Sequence, residues 1–458
     1  MTKWRRSMPE KDGDSIDLLL KNAKIFFNGE VVEGGIAISQ GQILKVGKVS
    51  HLPPCDTILD IQGNLIIPGV IDIHSHLRDL DLQYKEDFYS GTCAAANGGI
   101  TTVIDMPNTQ PATISSQLLK QKIDTAQKKV VINVGFYAGI PNSLTEIEDL
   151  VKKGIFGFKI YLANKLSDFD MYDPDSLHQL LLEIKKNDCP LLVHAERKLD
   201  IHERIADLNS SELSAQDLYL MNHSPEVEKS AISYILRLNQ RVGALLHICH
   251  VSTLQGVELI REEKNRSVWI TAEVTPHHLF LSKEVLKKFN GFAKMLPPLR
   301  SPIDLEALWA GVNDRTIDCI ATDHAPHLLS EKECTFASAA NGIPGFETLV
   351  PLLFTALNQD QITLSRLIEV LSEFPAKFLH LSKKGKIAPG FDADLCVIDP
   401  KRTGIITPEN FFSKAKFSPF RGRKVKGRPV MTIVKGKIVM RDNEILVNEG
   451  TGNILLRE

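Results

Sequence analysis

Two hydrophobic rhythms divide the chain. Near both ends, short runs rich in β-branched residues are separated by glycine turns: LLLKNAKIFF, GEVVEGGIAISQ and GQILKVGKV at the start, DADLCVIDP and PVMTIVKGKIVM towards the finish. The middle contains eight apolar runs, at 70–74, 101–106, 130–139, 156–162, 190–196, 244–252, 268–276 and 318–326. Amphipathic helical segments such as 114–129 and 225–238 lie between them, and two more, around 346–358 and 364–380, follow the last run. This alternation is the signature of βα units and a parallel sheet. Eight such units in about 250 residues match a (β/α)8 barrel. An open doubly wound sheet would need a glycine-rich phosphate loop, and neither G-x-G-x-x-G nor a Walker motif is present. The expected fold class is therefore α/β. A TIM-like barrel spans 67–385, a small β-sandwich is built from 16–66 and 386–458, and residues 1–15 form a flexible polar extension.

Composition narrows the function. In 458 residues, 54 Lys and Arg oppose 56 Asp and Glu, a formal charge of −2. Such a chain has no long-range pull toward nucleic acid or anionic membrane. The basic cluster at 414–428 therefore reads as a solvated domain edge. The seven cysteines are scattered without a C-x-x-C pair, which fits a reducing compartment and excludes a zinc ribbon. No apolar run has membrane-spanning length, and the polar N-terminus lacks the core of a signal peptide. The expected location is cytoplasmic.

In a barrel, chemistry sits at the C-terminal ends of the strands. There the sequence places His74 and His76, Lys159, His194, His247 and His250, His277 and His278, and Asp323, His324 and His327. His74 and His76 have strand spacing, so both imidazoles face one side and can grip one ion. Asp72, two residues earlier, strengthens that reading. His194 and His250 end apolar runs and complement the pair, whereas His247, three residues before His250, faces away and reads as structural. Asp323 ends an apolar strand, where a carboxylate needs a partner. A metal would serve, and the same group could act as general base. Lys159 lies inside an apolar run, where its pKa would fall. A carbamate bridging two metals, a Schiff base or a salt bridge would each explain it.

These motifs resemble the amidohydrolase superfamily and, within it, the dihydroorotase family, over nearly the whole chain. The matches are DIHSHLRD (72–79), YKEDFYSGTCAAANGGITTVIDMPNTQP (84–111), GFKIYL (157–162), VHAE (193–196), HICHVST (247–253), TPHH (275–278), PPLRS (297–301), ATDHAPH (321–327), GIPGFET (342–348) and IAPGFDADLCVID (387–399). The resemblance implies two Zn2+ per subunit: His74, His76 and Asp323 on one, His194 and His250 on the other, with carbamylated Lys159 and a hydroxide between them. The implied reaction is the reversible interconversion of L-dihydroorotate and N-carbamoyl-L-aspartate in pyrimidine synthesis, with Asp323 shuttling the proton. Arg78, Asn108 and His327 match the residues that hold the substrate's carboxylate.

The resemblance also implies a small acidic substrate, a homo-oligomer and association with aspartate transcarbamoylase. Allantoinase and hydantoinase relatives share the metal site and form the alternative; non-catalytic scaffold relatives lack ligands that this chain retains. Three positions depart from the family: Leu80-Asp81 replaces Pro-Gly, Leu296 replaces a pocket Asn, and Ser224 replaces an Arg. The segment 327–345 is expected to be a lid or a surface loop.

Overall fold

The computed structural model describes residues 16–197 and 213–457. The expected extension 1–15 and His202 lie outside them. Five strands open the fold: β1 (Leu18–Phe27), β2 (Glu30–Ser39), β3 (Gln42–Gly47), β4 (Ile58–Asp60) and β5 (Leu65–Pro68). Asn28 and Gly29 join β1 to β2 with φ of 52° and 86°, the paired positive φ that a two-residue hairpin demands and that Asn-Gly supplies cheaply.

The barrel strands follow: β6 (Val70–Ser75), β7 (Ile100–Asp105), β8 (Asn133–Phe136), β9 (Ala138–Gly139), β10 (Phe158–Tyr161), β11 (Leu191–His194), β12 (Leu246–Ile248), β13 (Ile270–Val274) and β14 (Cys319–Ile320). β6, β7 and β8 pair in parallel, as do β9 through β14. The third apolar run is thus one stave broken at Tyr137, where pairing passes from Asp105 to Gly157. A parallel bridge between Ser75 and His324 closes the ring, and the His76 N–H donates to His324 O at 2.8 Å. Every residue of β6 and β7 is buried, as expected of parallel strands covered on both faces. Helices supply the outer cover. In Pro225–Asn239, Val227, Ala231, Ile232 and Ile235 recur at helical spacing and are buried.

Four long or short strands return the chain to the first sheet: β15 (Leu395–Ile405), β16 (Lys424–Val434), β17 (Lys437–Arg441) and β18 (Glu444–Ile445). The order is β18-β17-β16-β15-β5-β1-β2-β3, with β4 on β1. Ile38 of β2 and Ile433 of β16 share one core with Leu20, Ile25 and Leu395, so the sheet curls over itself. The two layers of the expected sandwich are halves of one continuous sheet. The tail leaves it: β19 (Asn453–Ile454) pairs in parallel with β8, on the barrel.

The 327–345 segment is firmly tied. The ammonium of Lys332, 1 % exposed, donates to Lys294 O, Ala340 O and Gly342 O at 3.0, 2.6 and 2.9 Å, while Phe336 and Ile343 sit in an apolar cluster. The basic cluster is largely spent within the molecule: Lys414 pairs with Asp87, Arg421 with Glu409, and Arg423 lies over Phe280. Among the described residues, no helix is long and apolar enough to cross a membrane.

One buried ion pair fixes the rim beside β6. Lys122, fully buried, reaches Asp105 Oδ2 at 2.7 Å and Met106 O at 2.8 Å, and Asp105 Oδ1 accepts from Leu77 N at 2.6 Å. Removing the cation leaves an uncompensated buried carboxylate. Lys122→Met is expected to destabilise the protein by about 3–5 kcal/mol in chemical denaturation, with much of the loss recovered in Lys122→Met/Asp105→Asn.

Candidate metal centre and substrate cleft

The barrel brings the strand ends together. His74 is the last but one residue of β6, with His76 just beyond the strand; Lys159 lies in β10, His194 ends β11, His250 follows β12 and Asp323 follows β14. The Nε2 atoms of His76 and His74 stand 3.0 and 3.4 Å from Asp323 Oδ1. The rings of His194 and His250 touch, with His194 Nδ1 3.0 Å from His250 Nε2. The His74 and His250 rings are 5.3 Å apart, so the two groups adjoin. Lys159 is buried with its Nζ 2.9 Å from Cys249 Sγ, and its charge acts on both His74 and His250.

Outer acceptors decide which nitrogen of each ring carries hydrogen. Glu273, fully buried on β13, accepts from His74 Nδ1, from His247 Nε2 at 3.1 Å and from the His250 backbone N–H at 3.2 Å. Asn108 Oδ1 lies 2.6 Å from His76 Nδ1, and Glu196 Oε2 lies 2.9 Å from His194 Nε2. Glu196 is itself braced by His223 Nδ1 at 2.9 Å. With those protons committed outward, His76 Nε2 and His194 Nδ1 present lone pairs inward, and His74 Nε2 does the same when a metal takes the place of its second proton.

The charges follow from these partners. Burial alone would lower the pKa of His74, but the Glu273 carboxylate outweighs it and raises it to about 10. Burial lowers His76 to about 4, and burial with His194 and Lys159 holds His250 well below its ordinary value. Burial works against ionised Asp323 and Glu273, yet the charge of His74 on Asp323, and His74 with His247 on Glu273, hold both below the usual carboxylate range.

This donor set fits metal ions. The lone pair of His76 Nε2 and the carboxylate of Asp323 face each other as two acceptors, an arrangement that a cation reconciles. His74, His76 and Asp323 place their ligand atoms within 4.8 Å of one another. His250 Nδ1 is buried with no hydrogen-bond partner among the described residues. Asp72 is not part of the cluster. It accepts from Thr322 N and Oγ1 at 3.0 and 2.5 Å and from His74 N at 3.2 Å, bracing β6 against the segment after β14.

Beside the cluster, Arg78 is buried, its Nη2 3.3 Å from His327 Nε2 and its Nε donating to Pro326 O at 3.3 Å. It makes no ion pair among the described residues. The neighbouring acids are engaged elsewhere: Asp79 with Lys129, Glu86 with Ser90 and Ser413. Asn108 belongs to His76 and does not reach Arg78 or His327 by any hydrogen bond.

Sequence reasoning passed over Glu273 and Cys249, and gave His277 a place at a strand end but no role. Glu273 shares a face of β13 with Thr271, a polar pair that strand alternation alone turns toward solvent; only the closed barrel turns that face inward. His277 is buried facing the cluster, and burial, partly opposed by Asp323, lowers it to about 4.

Comparison with known proteins agrees with this geometry. The model of the amidohydrolase family matches residues 65–439. A dihydroorotase of Methanosarcina acetivorans is 36% identical over 448 residues, 96% of this chain and 95% of that protein. One from Lactobacillus delbrueckii subsp. bulgaricus is 36% identical over 433 residues, 93% of this chain and 99% of its own length. The solved structure of an L-hydantoinase (dihydropyrimidinase) from Arthrobacter aurescens superposes with a TM-score of 0.92 at 30% identity, covering 96% of this chain and all of the other.

Loss of the outer acceptor tests the centre. Glu273→Gln is expected to lower metal affinity by roughly 10–100-fold, read by competition with a chromogenic chelator. An unchanged affinity would show that Glu273 does not set the His74 lone pair. Motifs, fold and donor set converge: the chain belongs to the amidohydrolase family and, within it, to the dihydroorotase family.

Proposed function

We propose that the protein is a zinc-dependent dihydroorotase, interconverting L-dihydroorotate and N-carbamoyl-L-aspartate in pyrimidine synthesis. The observation that carries the reading is Arg78: a buried guanidinium without a carboxylate partner among the described residues, 3.3 Å from His327 and adjoining the donor cluster. A buried cation of this kind calls for an anion, and an acidic ring supplies one. The names of the curated relatives point the same way.

His74, His76 and Asp323 would hold one ion and His194 and His250 a second, with Lys159 as a carbamate between them. When bound, such ions act as Lewis acids on the ring carbonyl and make water nucleophilic at neutral pH. The chain's own groups do the rest. Arg78 and His327 anchor the substrate carboxylate and so aim the scissile C–N bond at the cluster. Asp323 turns Oδ1 to the histidines; Oδ2 makes no hydrogen bond among the described residues, and the side chain is 13% exposed. That oxygen takes the proton from the attacking water and delivers it to the leaving ring nitrogen as the bond breaks. Asn108 fixes the His76 ring through Oδ1, and its amide nitrogen is left to donate to the substrate carboxylate.

A neutral-ring activity is the second reading, favoured by the hydantoinase structure and by apolar Leu296. Metal-loaded protein assayed against dihydroorotate, hydantoin, allantoin and dihydrouracil separates them: turnover confined to neutral rings would overturn the first reading. Arg78→Met is expected to raise KM for dihydroorotate at least tenfold, since it removes a contact remote from the bond broken. Lys159→Ala is expected to abolish turnover, with partial recovery on adding short carboxylic acids that replace the carbamate; full activity in that variant would refute the bridge.

A further inference from the structure

Lys85 lies on the loop after β6, and Glu331 on the short helix Leu329–Lys332 after β14. Their side chains meet at 2.6 Å and are 14% and 27% exposed. Lys85 Nζ also stands 3.3 Å from His327 Nδ1, while Glu331 Oε2 is 3.4 Å from that nitrogen. On the other side of the ring, Nε2 is 2.9 Å from Asn341 O and 3.3 Å from Arg78 Nη2. The Asn341 carbonyl is pinned, because Lys332 binds the carbonyls on both sides of it, Ala340 and Gly342.

Elementary donor chemistry places the ring's hydrogen. A backbone carbonyl only accepts, so Nε2 carries the hydrogen. An ammonium only donates, so Nδ1 offers its lone pair. Both contacts demand the same neutral tautomer. Burial, with the charges of Arg78 and Lys85, lowers the ring's pKa to about 2, so a second proton does not bind. Arg78 Nη2 and His327 Nε2 are then two donors 3.3 Å apart; an anion beside them takes an Arg78 hydrogen and shares the Nε2 hydrogen with Asn341 O in a three-centre bond.

We propose that Lys85 is a positioning residue for the acidic substrate: it holds His327 as the Nε2–H tautomer, so that His327 and Arg78 donate together to one carboxylate. Without Lys85, Glu331 is free to accept from Nδ1. The hydrogen then moves to Nδ1, and Nε2 turns a lone pair toward the carboxylate. The proposal rests on the reading of an acidic ring substrate.

Nitrogen-15 NMR of histidine-labelled, metal-loaded protein, with His327 assigned through His327→Asn, reads the tautomer without substrate. The wild type is expected to show hydrogen on Nε2. Lys85→Met is expected to shift it toward Nδ1 and to lower the preference for dihydroorotate over dihydrouracil in kcat/KM about tenfold, the worth of one hydrogen bond to a charged group. Lys85→Arg keeps a donor and should keep both signatures. A wild-type tautomer in Lys85→Met would reduce Lys85 to a tie between loops and overturn the proposal. A wild type inactive on dihydroorotate but with Lys85-dependent tautomer would overturn the substrate reading alone.

Discussion

Everything at the centre depends on one buried carboxylate. Glu273 accepts from His74, from His247 and from the backbone of His250, and so ties the ends of β6 and β12 to β13. An ionised carboxylate without partners costs several kcal/mol in such surroundings. The three donors are therefore a condition for burying it, and they are met together only when the strand ends stand in this arrangement. Glu196 does the same for His194 and His223, and Asn108 for His76. Each acceptor draws a proton outward and leaves a lone pair directed inward. The capacity for metal is thus written in the outer ring of acceptors as much as in the ligands.

The same region carries backbone strain. His250, Asp323 and Arg78 have φ of 36°, 45° and 59°, in the left-handed region that side-chain-bearing residues avoid. Each costs on the order of 1–3 kcal/mol and persists only where its surroundings over-determine it. Here they do. Asp79, next to Arg78, accepts from Leu80 N at 2.7 Å, Phe88 N at 2.8 Å and Lys129 at 2.9 Å. Behind it, Asp105 with Lys122 holds Leu77 N. The sharp turn after His76 lets neighbouring residues line the donor cluster and the corner around Arg78 and His327.

The eight staves and the His74/His76 pair were legible because strand periodicity is local: residues two apart share a face whatever the rest of the chain does. Long β-rich ends likewise announced a second sheet. What stayed hidden depends on closure. Glu273 mimics an exposed position until β13 lies inside a ring, and Lys85 is a lone loop lysine until Glu331, 246 positions later, comes alongside. The 327–345 segment looked free because its glycine and serine content describes the chain locally. Its order comes from Lys332, a cation that finds carbonyl partners only in the folded loop. Continuity of the curled sheet was equally beyond a linear pattern, since a sandwich of two sheets and one folded sheet have the same strand periodicity.

Selectivity has to come from outside the metal cluster, because hydantoinase and dihydroorotase relatives share the fold. The fold spends Asp79 and Glu86 on Lys129, Ser90 and Ser413 and leaves buried Arg78 without an acid. A substrate that brings a carboxylate completes that corner through charge-assisted hydrogen bonds, each worth about 1.5–3 kcal/mol. A neutral ring leaves a guanidinium buried and unpaired, and pays its desolvation. Leu296, at the position where the family's pattern has a pocket Asn, carries no side-chain polar group for the ring. On the proposed reading, recognition is therefore concentrated at the carboxylate end, and the protein discriminates charged from neutral rings more sharply than it discriminates one acidic ring from another.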